Sequence, residues 1–462
     1  MISSAKWLNT PGLISLGGGL PCPDYFPFEE LDIKVPQVPR FSPFRNGHAH
    51  EGSDYCLLRA GKHDMAEGTS MFDITTAMQY GQAHGAAQFL RFLVEHTELI
   101  HDPPYQDWSC TMTVGNTSAL DVTLRMLSNR GDWMLSEEYT FVAAAEAAGA
   151  LGVKTAAVPM DEHGMRADGL NDVLTNWDEK ERGGPKPFLV YTVPTGQNPT
   201  GATQTAQRRR DIYAVAQKHE LIIIEDDPYY YLQMDPYTGP EDSPGAAAAS
   251  PPASHDDFIK SLVPSYLSID TDGRVIRMDS FSKVVAPGTR AGWITAPEQM
   301  VDRYRAHAEL STQAPSGTSQ LVLFKLLEDH WGHAGYLDWL MHLRVEYTAR
   351  RNVMMAACDQ YLPKNIVSWA VPVAGIFCWL RLDHTRHPRY EETSLEEIEE
   401  EVFDAIIRQK TWLMNGSWFR PDRAEKLGGI FFRATYAAAP FDQIQEGIQR
   451  LGKAVRETFK PN

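Results

Sequence analysis

The chain has 462 residues, 43% of them hydrophobic and 22% charged, with a formal net charge of −17. That length suits more than one lobe around sizeable cores, and the composition is that of a folded protein. An acid excess of this size, with no basic run longer than Arg208-Arg209-Arg210, argues against nucleic acid and anionic membrane surfaces as partners.

From the N-terminus, Met1–Pro11 shows no basic stretch followed by a long apolar run, and no span of about 20 apolar residues occurs anywhere. Gly17-Gly18-Gly19 with Leu20-Pro21 forms an open turn, and no G-x-G-x-x-G fingerprint exists. Asp32–Gly68 has little periodicity and is expected to be a surface insertion. Short apolar runs then predict strands at Cys110–Val114, Trp133–Ser136, Val153–Val158, Phe188–Val193, Leu221–Glu225, Val275–Asp279 and Gly292–Thr295. Amphipathic stretches such as Thr117–Asn129 and Thr203–His219 sit between them. This alternation predicts an α/β fold with a mostly parallel seven-stranded sheet. Asp235–Ser265, with Pro244-Gly245, an alanine run and Pro251-Pro252, is expected to be a second, mobile loop. Beyond it, a helix over about Tyr336–Leu362, strands near Gly375–Leu382 and Ile430–Thr435, and a helix over Phe441–Thr458 predict a smaller α+β unit. The expected division is 1–72 (N-terminal arm and part of the small domain), 73–330 (large domain) and 331–462 (small C-terminal domain). Five scattered cysteines without a CxxC pair fit a reducing compartment, the cytoplasm.

Four segments carry chemistry. Ser280-Phe281-Ser282-Lys283 follows a strand, with Pro287-Gly288 and Arg290 after it. Two hydroxyls and a guanidinium suit a phosphate and leave an amine beside it. The same four residues fit the S-x-x-K of acyl-serine enzymes, but the S-D-N and K-T-G partners of that motif are missing. Leu221–Tyr229 runs an apolar strand into Glu225-Asp226-Asp227. These acids read as a solvated strand end, a divalent-metal site, or a carboxylate facing a protonated ring nitrogen. Alternation places Glu225 and Asp227 on one face and Asp226 on the other. In Tyr191–Gly201, Pro and Gly turns flank Asn198; they read equally as turn chemistry and as a rigid loop that offers the asparagine to a ligand. Val114-Gly115-Asn116-Thr117 links strand to helix, either as a plain N-cap or as backbone N–H groups offered to a phosphate.

Together, ISLGGGLP from Ile14, YTVPTGQNPTG, IIEDDPYYYLQ and DSFSKVVAPGTRAGW resemble the signatures of fold-type I pyridoxal-phosphate (PLP) aminotransferases. The similarity runs from about Ile14 to Leu451 and is nearest to the aromatic amino-acid and kynurenine/α-aminoadipate subgroup, whose fungal members the long insertions resemble. The resemblance implies that Lys283 carries the cofactor, that Asp226 pairs with its ring nitrogen, and that Asn198 and Tyr229 bond its ring oxygen. It implies a phosphate site of Ser280, Ser282, Arg290 and the backbone of Gly115, Asn116 and Thr117, with Phe141 stacked on the ring. Family members often carry tyrosine at the position of Phe141, and Ser-Gln at Asn116-Thr117. The substrate carboxylate would meet Arg433, with Asn198 and Gly19 nearby. Tyr80 would reach the phosphate of a second subunit, so the resemblance implies a homodimer. The implied reaction moves the amino group of an aromatic amino acid to a 2-oxo acid such as 2-oxoglutarate by a ping-pong mechanism. Aminoadipate or kynurenine is the alternative donor, and a PLP lyase or decarboxylase the alternative chemistry. A PLP-sensing DNA-binding regulator is not expected from an acidic chain with only a short arm before Gly17.

Overall fold

Polar and apolar residues alternate through Glu30–Pro36, and this segment forms strand β1. It pairs antiparallel with β2, Tyr55–Gly61, setting Leu31 against Ala60, Ile33 against Leu58 and Val35 against Cys56. These residues pack on the main core. The expected insertion at 32–68 is therefore partly a half-buried hairpin, because a period of two is enough to cover a core edge. The computed structural model describes residues 11–12, 14, 16–17, 19–39, 41, 55–239, 251–422 and 426–460. Much of both expected loops, and parts of the Ile14–Pro21 motif, lie outside these residues.

The central sheet is built from β3 (Trp108–Thr113), β4 (Trp133–Glu137) and β5 (Lys154–Val158). After a small hairpin, β6 (Met160–Asp161) and β7 (Gly164–Met165), come β8 (Leu189–Thr192), β9 (Ile222–Asp226), β10 (Val275–Ser280) and β11 (Gly292–Pro297). The order is β3-β11-β10-β9-β8-β4-β5, with β11 alone antiparallel to its neighbours. Successive residues of each strand feed two separate apolar clusters: Ile224, Ile276 and Tyr191 on one face, Ile223, Val275 and Val190 on the other. A sheet covered on both faces explains why its strands read as continuous apolar runs.

A four-stranded antiparallel sheet follows, in the order β12-β13-β15-β14. Its strands are β12 (Val367–Trp369), β13 (Phe377–Leu382), β14 (Met414–Asn415) and β15 (Ile430–Thr435). Residues of helices Gly332–Tyr361, Leu395–Arg408 and Phe441–Thr458 share its apolar cluster. β12 and β14 escape a sequence reading because two or three residues show no period. The segment 235–265 also departs from expectation. Ser254 caps a helix over His255–Ser261, Phe258 is buried, and so is Ser265. Among the described residues, no helix is long and apolar enough to cross a membrane.

Candidate active site

The parallel strands β4, β8, β9 and β10 end at one edge of the sheet, where an open α/β sheet places its ligands. Lys283 stands in the turn after β10. Ser280 Oγ anchors that turn, accepting from Ser282 N at 3.1 Å and donating to Ser282 Oγ at 2.9 Å. Lys283 Nζ lies 6.0 Å from the centre of the Tyr229 ring. Burial lowers the pKa of this amine, and the charges of Arg433 and Arg290 lower it further, against an opposing pull from Asp226.

Asp226 closes β9 and is buried. Its Oδ2 accepts from Tyr191 Oη at 2.7 Å, and its Oδ1 from Asn116 Nδ2 at 2.7 Å. Burial raises the pKa of this carboxyl, while the two donors, then Arg277 and Lys283, draw it back. The neighbouring acids face the other way, as alternation predicts. Glu225 and Asp227 meet Arg277 and, at longer range, Arg209, so their negative charge is answered by guanidinium groups. That arrangement disfavours both the solvated strand end and the metal-site reading.

Gly115 precedes the helix Asn116–Leu127 with φ +77°. A Cβ there would lie 2.6 Å from Arg290 Nη2, so only glycine lets the guanidinium come this close. Arg290 reaches Pro287 O at 3.1 Å, Ser282 Oγ at 3.4 Å and Val114 O at 3.4 Å. Two hydroxyls, a guanidinium and a helix start thus converge beside Lys283, with the exposed Thr117 at their rim. Such a set of donors fits a dianionic phosphate.

Arg433 projects from β15. Its Nη1 donates to Asn198 Oδ1 at 2.7 Å, and its guanidinium carbon lies 4.3 Å from the centre of the Phe377 ring and 4.7 Å from that of Phe419. Asn198 is held because Gly196, φ +56°, packs on Gly375: a Cβ on Gly196 would come within 2.5 Å of Gly375 Cα. Tyr229 is buried with its ring edge-on to Phe377, at 5.7 Å between centres.

Phe141 is half-buried at the start of helix Val142–Ala150. Tyr80 is 71% exposed, and a Cβ added to Gly19 would meet nothing within 4 Å. Gln79 Nε2 donates to Pro21 O at 2.9 Å, which joins the segment of Tyr80 to that of Gly19. Among the described residues, no hydrogen bond or ring contact links either residue to the group around Lys283. Sequence reasoning missed Tyr191 and the Asn116 side-chain bond to Asp226. A tyrosine within the buried strand Leu189–Thr192 was the available signal, since a buried hydroxyl needs a partner.

Residues 51–451 match the family described as aminotransferase class I and II. The chain belongs to this family. It is 44% identical over 450 residues to an aromatic amino acid aminotransferase of Schizosaccharomyces pombe, covering 97% of this chain and 92% of the relative. It is 31% identical to the L-tyrosine:2-oxoglutarate aminotransferase of Serpula lacrymans, covering 97% and 91%. The crystal structure of aminotransferase Aro8 from Candida albicans superposes with a TM-score of 0.90 at 42% identity, covering 99% of this chain and 95% of that one. The aminotransferase is a PLP enzyme of fold type I. Its own residues fit the cofactor: an amine with a lowered pKa, a carboxylate held by two donors, a cradle of phosphate donors kept open by Gly115, and a buried Asn116 Oδ1 that has no hydrogen-bond partner among the described residues.

Proposed function

We propose that the aminotransferase takes the amino group of an aromatic amino acid, tryptophan, phenylalanine or tyrosine, and passes it to 2-oxoglutarate. The observation that carries this reading is Arg433, oriented by Asn198 and flanked by Phe377 and Phe419, close enough to Lys283 to lower its pKa. A planar fork held in this way suits the α-carboxylate common to donor and acceptor. The names of the relatives support an aromatic donor and 2-oxoglutarate as acceptor.

Bound PLP supplies the carbonyl that takes up the amino group and a ring that draws electrons from the substrate. The residues do the rest. Lys283 would hold the cofactor, and its amine would take the proton from the substrate Cα, a task that suits an amine of lowered pKa. Asp226 holds the proton on the ring nitrogen. Asn198 and Tyr229 would bond the ring oxygen, and Phe141 would stack on the ring. Ser280, Ser282, Arg290 and the backbone of Gly115–Thr117 bind the phosphate. Gly19 borders the substrate.

The exposure of Tyr80, next to an arm with Leu16 and Tyr25 at 94% and 85% exposed, supports a homodimer in which Tyr80 reaches the partner's phosphate. We place the enzyme in the cytoplasm and divide it at 1–72, 73–330 and 331–462.

The test is the visible absorbance of the holoenzyme. Tryptophan should bleach the cofactor band and 2-oxoglutarate should restore it, while Lys283→Ala should abolish turnover. A band that ignores tryptophan, phenylalanine and tyrosine but responds to aminoadipate or kynurenine overturns the aromatic donor. Wild-type turnover by Lys283→Ala overturns the mechanism.

A further inference from the structure

Beneath Asp226 lies a buried charge cluster to which none of the roles above assigns a part. Arg277, on β10, binds Asp279 through both arms of its fork: Nε to Oδ2 and Nη2 to Oδ1, each at 2.8 Å. Its Nη1 lies 3.0 Å from Glu225 Oε1 and 3.3 Å from Asp227 Oδ2. The Tyr230 ring covers the guanidinium at 4.6 Å. Arg209 stands 3.7 Å from Glu225 and 3.9 Å from Asp227, and donates to Thr195 Oγ1 at 2.8 Å and Pro194 O at 3.3 Å. Thr195 Oγ1 donates in turn to Asp227 Oδ2 at 3.1 Å. Each of these five charged residues is at most 2% exposed.

The contacts fall on the chain segments that present the site. Glu225 and Asp227 are the two neighbours of Asp226. Asp279 immediately precedes Ser280 and stands four residues before Lys283. Pro194 and Thr195 lead into Asn198. Three carboxylates and two guanidinium groups withdrawn from water are weak contributors to stability, because their desolvation offsets their attraction, and packed apolar residues would serve a core as well. What apolar side chains lack is direction. A bidentate fork fixes angle as well as distance.

We propose that Arg277 is a positioning residue of this aminotransferase: it holds the side chains of the residues on either side of Asp226 and so sets where that carboxylate meets the cofactor ring nitrogen. The proposal rests on the role given to Asp226 above. The positive charge of Arg277 also favours the ionised form of Asp226, after the donors Tyr191 and Asn116.

The test is a double-mutant cycle on the full-length protein, reading the PLP dissociation constant by equilibrium dialysis and the pH midpoint of the bound cofactor band. Arg277→Lys keeps a positive charge and loses the fork. Alone, it should weaken PLP binding roughly tenfold, within the range for residues of one ion-pair network, and shift the pH midpoint. Added to Asp226→Asn, it should change binding by less than about twofold, since the group it positions is already disabled. Equal losses in both backgrounds, or no loss in either, overturn the proposal. If Asp226→Asn alone leaves affinity and midpoint unchanged, the role of Asp226 is what fails. Should Arg277→Lys not fold, Asp279→Asn, which loosens the other side of the fork, enters the same cycle with the same expectation.

Discussion

Tyr191→Phe isolates the hydrogen bond that most directly tunes Asp226. The substitution removes one oxygen and leaves the ring packing intact. Tyr191 is a donor at every accessible pH, because burial and then the charge of Asp226 hold its own pKa well above the ordinary tyrosine value. Its Oη lies 2.7 Å from Asp226 Oδ2, both groups are buried, and the bond from Asn116 remains after the change. A hydrogen bond to a charged group contributes about 1.5–3 kcal/mol. Losing a donor that favours the carboxylate raises the Asp226 pKa further in the direction in which burial already pushes it. Protonated Asp226 cannot pair with a protonated ring nitrogen, so the acid-side loss of PLP affinity should move to higher pH. Equilibrium dialysis of PLP across pH 4–8 measures it, with the cofactor band as a second readout. An acid limb that coincides with the wild-type limb would refute the reasoning, and with it the claim that Tyr191 supports the ionised carboxylate.

Three further outcomes are expected. Arg433→Leu should lower kcat/KM for tryptophan by roughly 100-fold through lost charge-assisted bonds, and Arg433→Lys should fall between, because it keeps the charge without the fork; steady-state kinetics decide. Gly115→Ala should weaken PLP binding, since the added carbon meets Arg290 at 2.6 Å in a φ +77° backbone that alanine resists; dialysis measures the loss. Glu137 is fully buried, its Oε2 has no hydrogen-bond partner among the described residues, and burial lifts its carboxyl from 4.5 to about 7. A raised carboxyl stabilises the fold below the unfolded value, and that contribution is lost as pH rises from 4.5 through about 7. Glu137→Gln should therefore flatten the decline in urea stability over this window by an amount on the order of 3 kcal/mol.

Much of the candidate site was legible because its residues come in short linear groups. The end of β10 and the turn after it carry Ser280, Ser282, Lys283 and Arg290 within eleven residues, and such a strand–turn segment brings its side chains together by local geometry alone. The opposed faces of Glu225, Asp226 and Asp227 followed from the two-residue period of a strand. The hairpin of β1 and β2 was hidden by a stretch rich in Pro, His and Gly, although Glu30–Pro36 alternates plainly. The helix His255–Ser261 was hidden by the loop-like residues before it.

The sequence by itself determined the strand-and-helix alternation, the central sheet and the identity of the residues around Lys283, because periodicity and turn chemistry act over a few residues. Only the tertiary structure decided that Tyr191 and Asn116 share Asp226, that Arg433 meets Asn198 across 235 positions, and that Arg277 answers the acids on either side of Asp226. A buried charge or hydroxyl must find a partner to offset its lost hydration, and which partner it finds depends on the order in which strands pair, a fact that no local window contains.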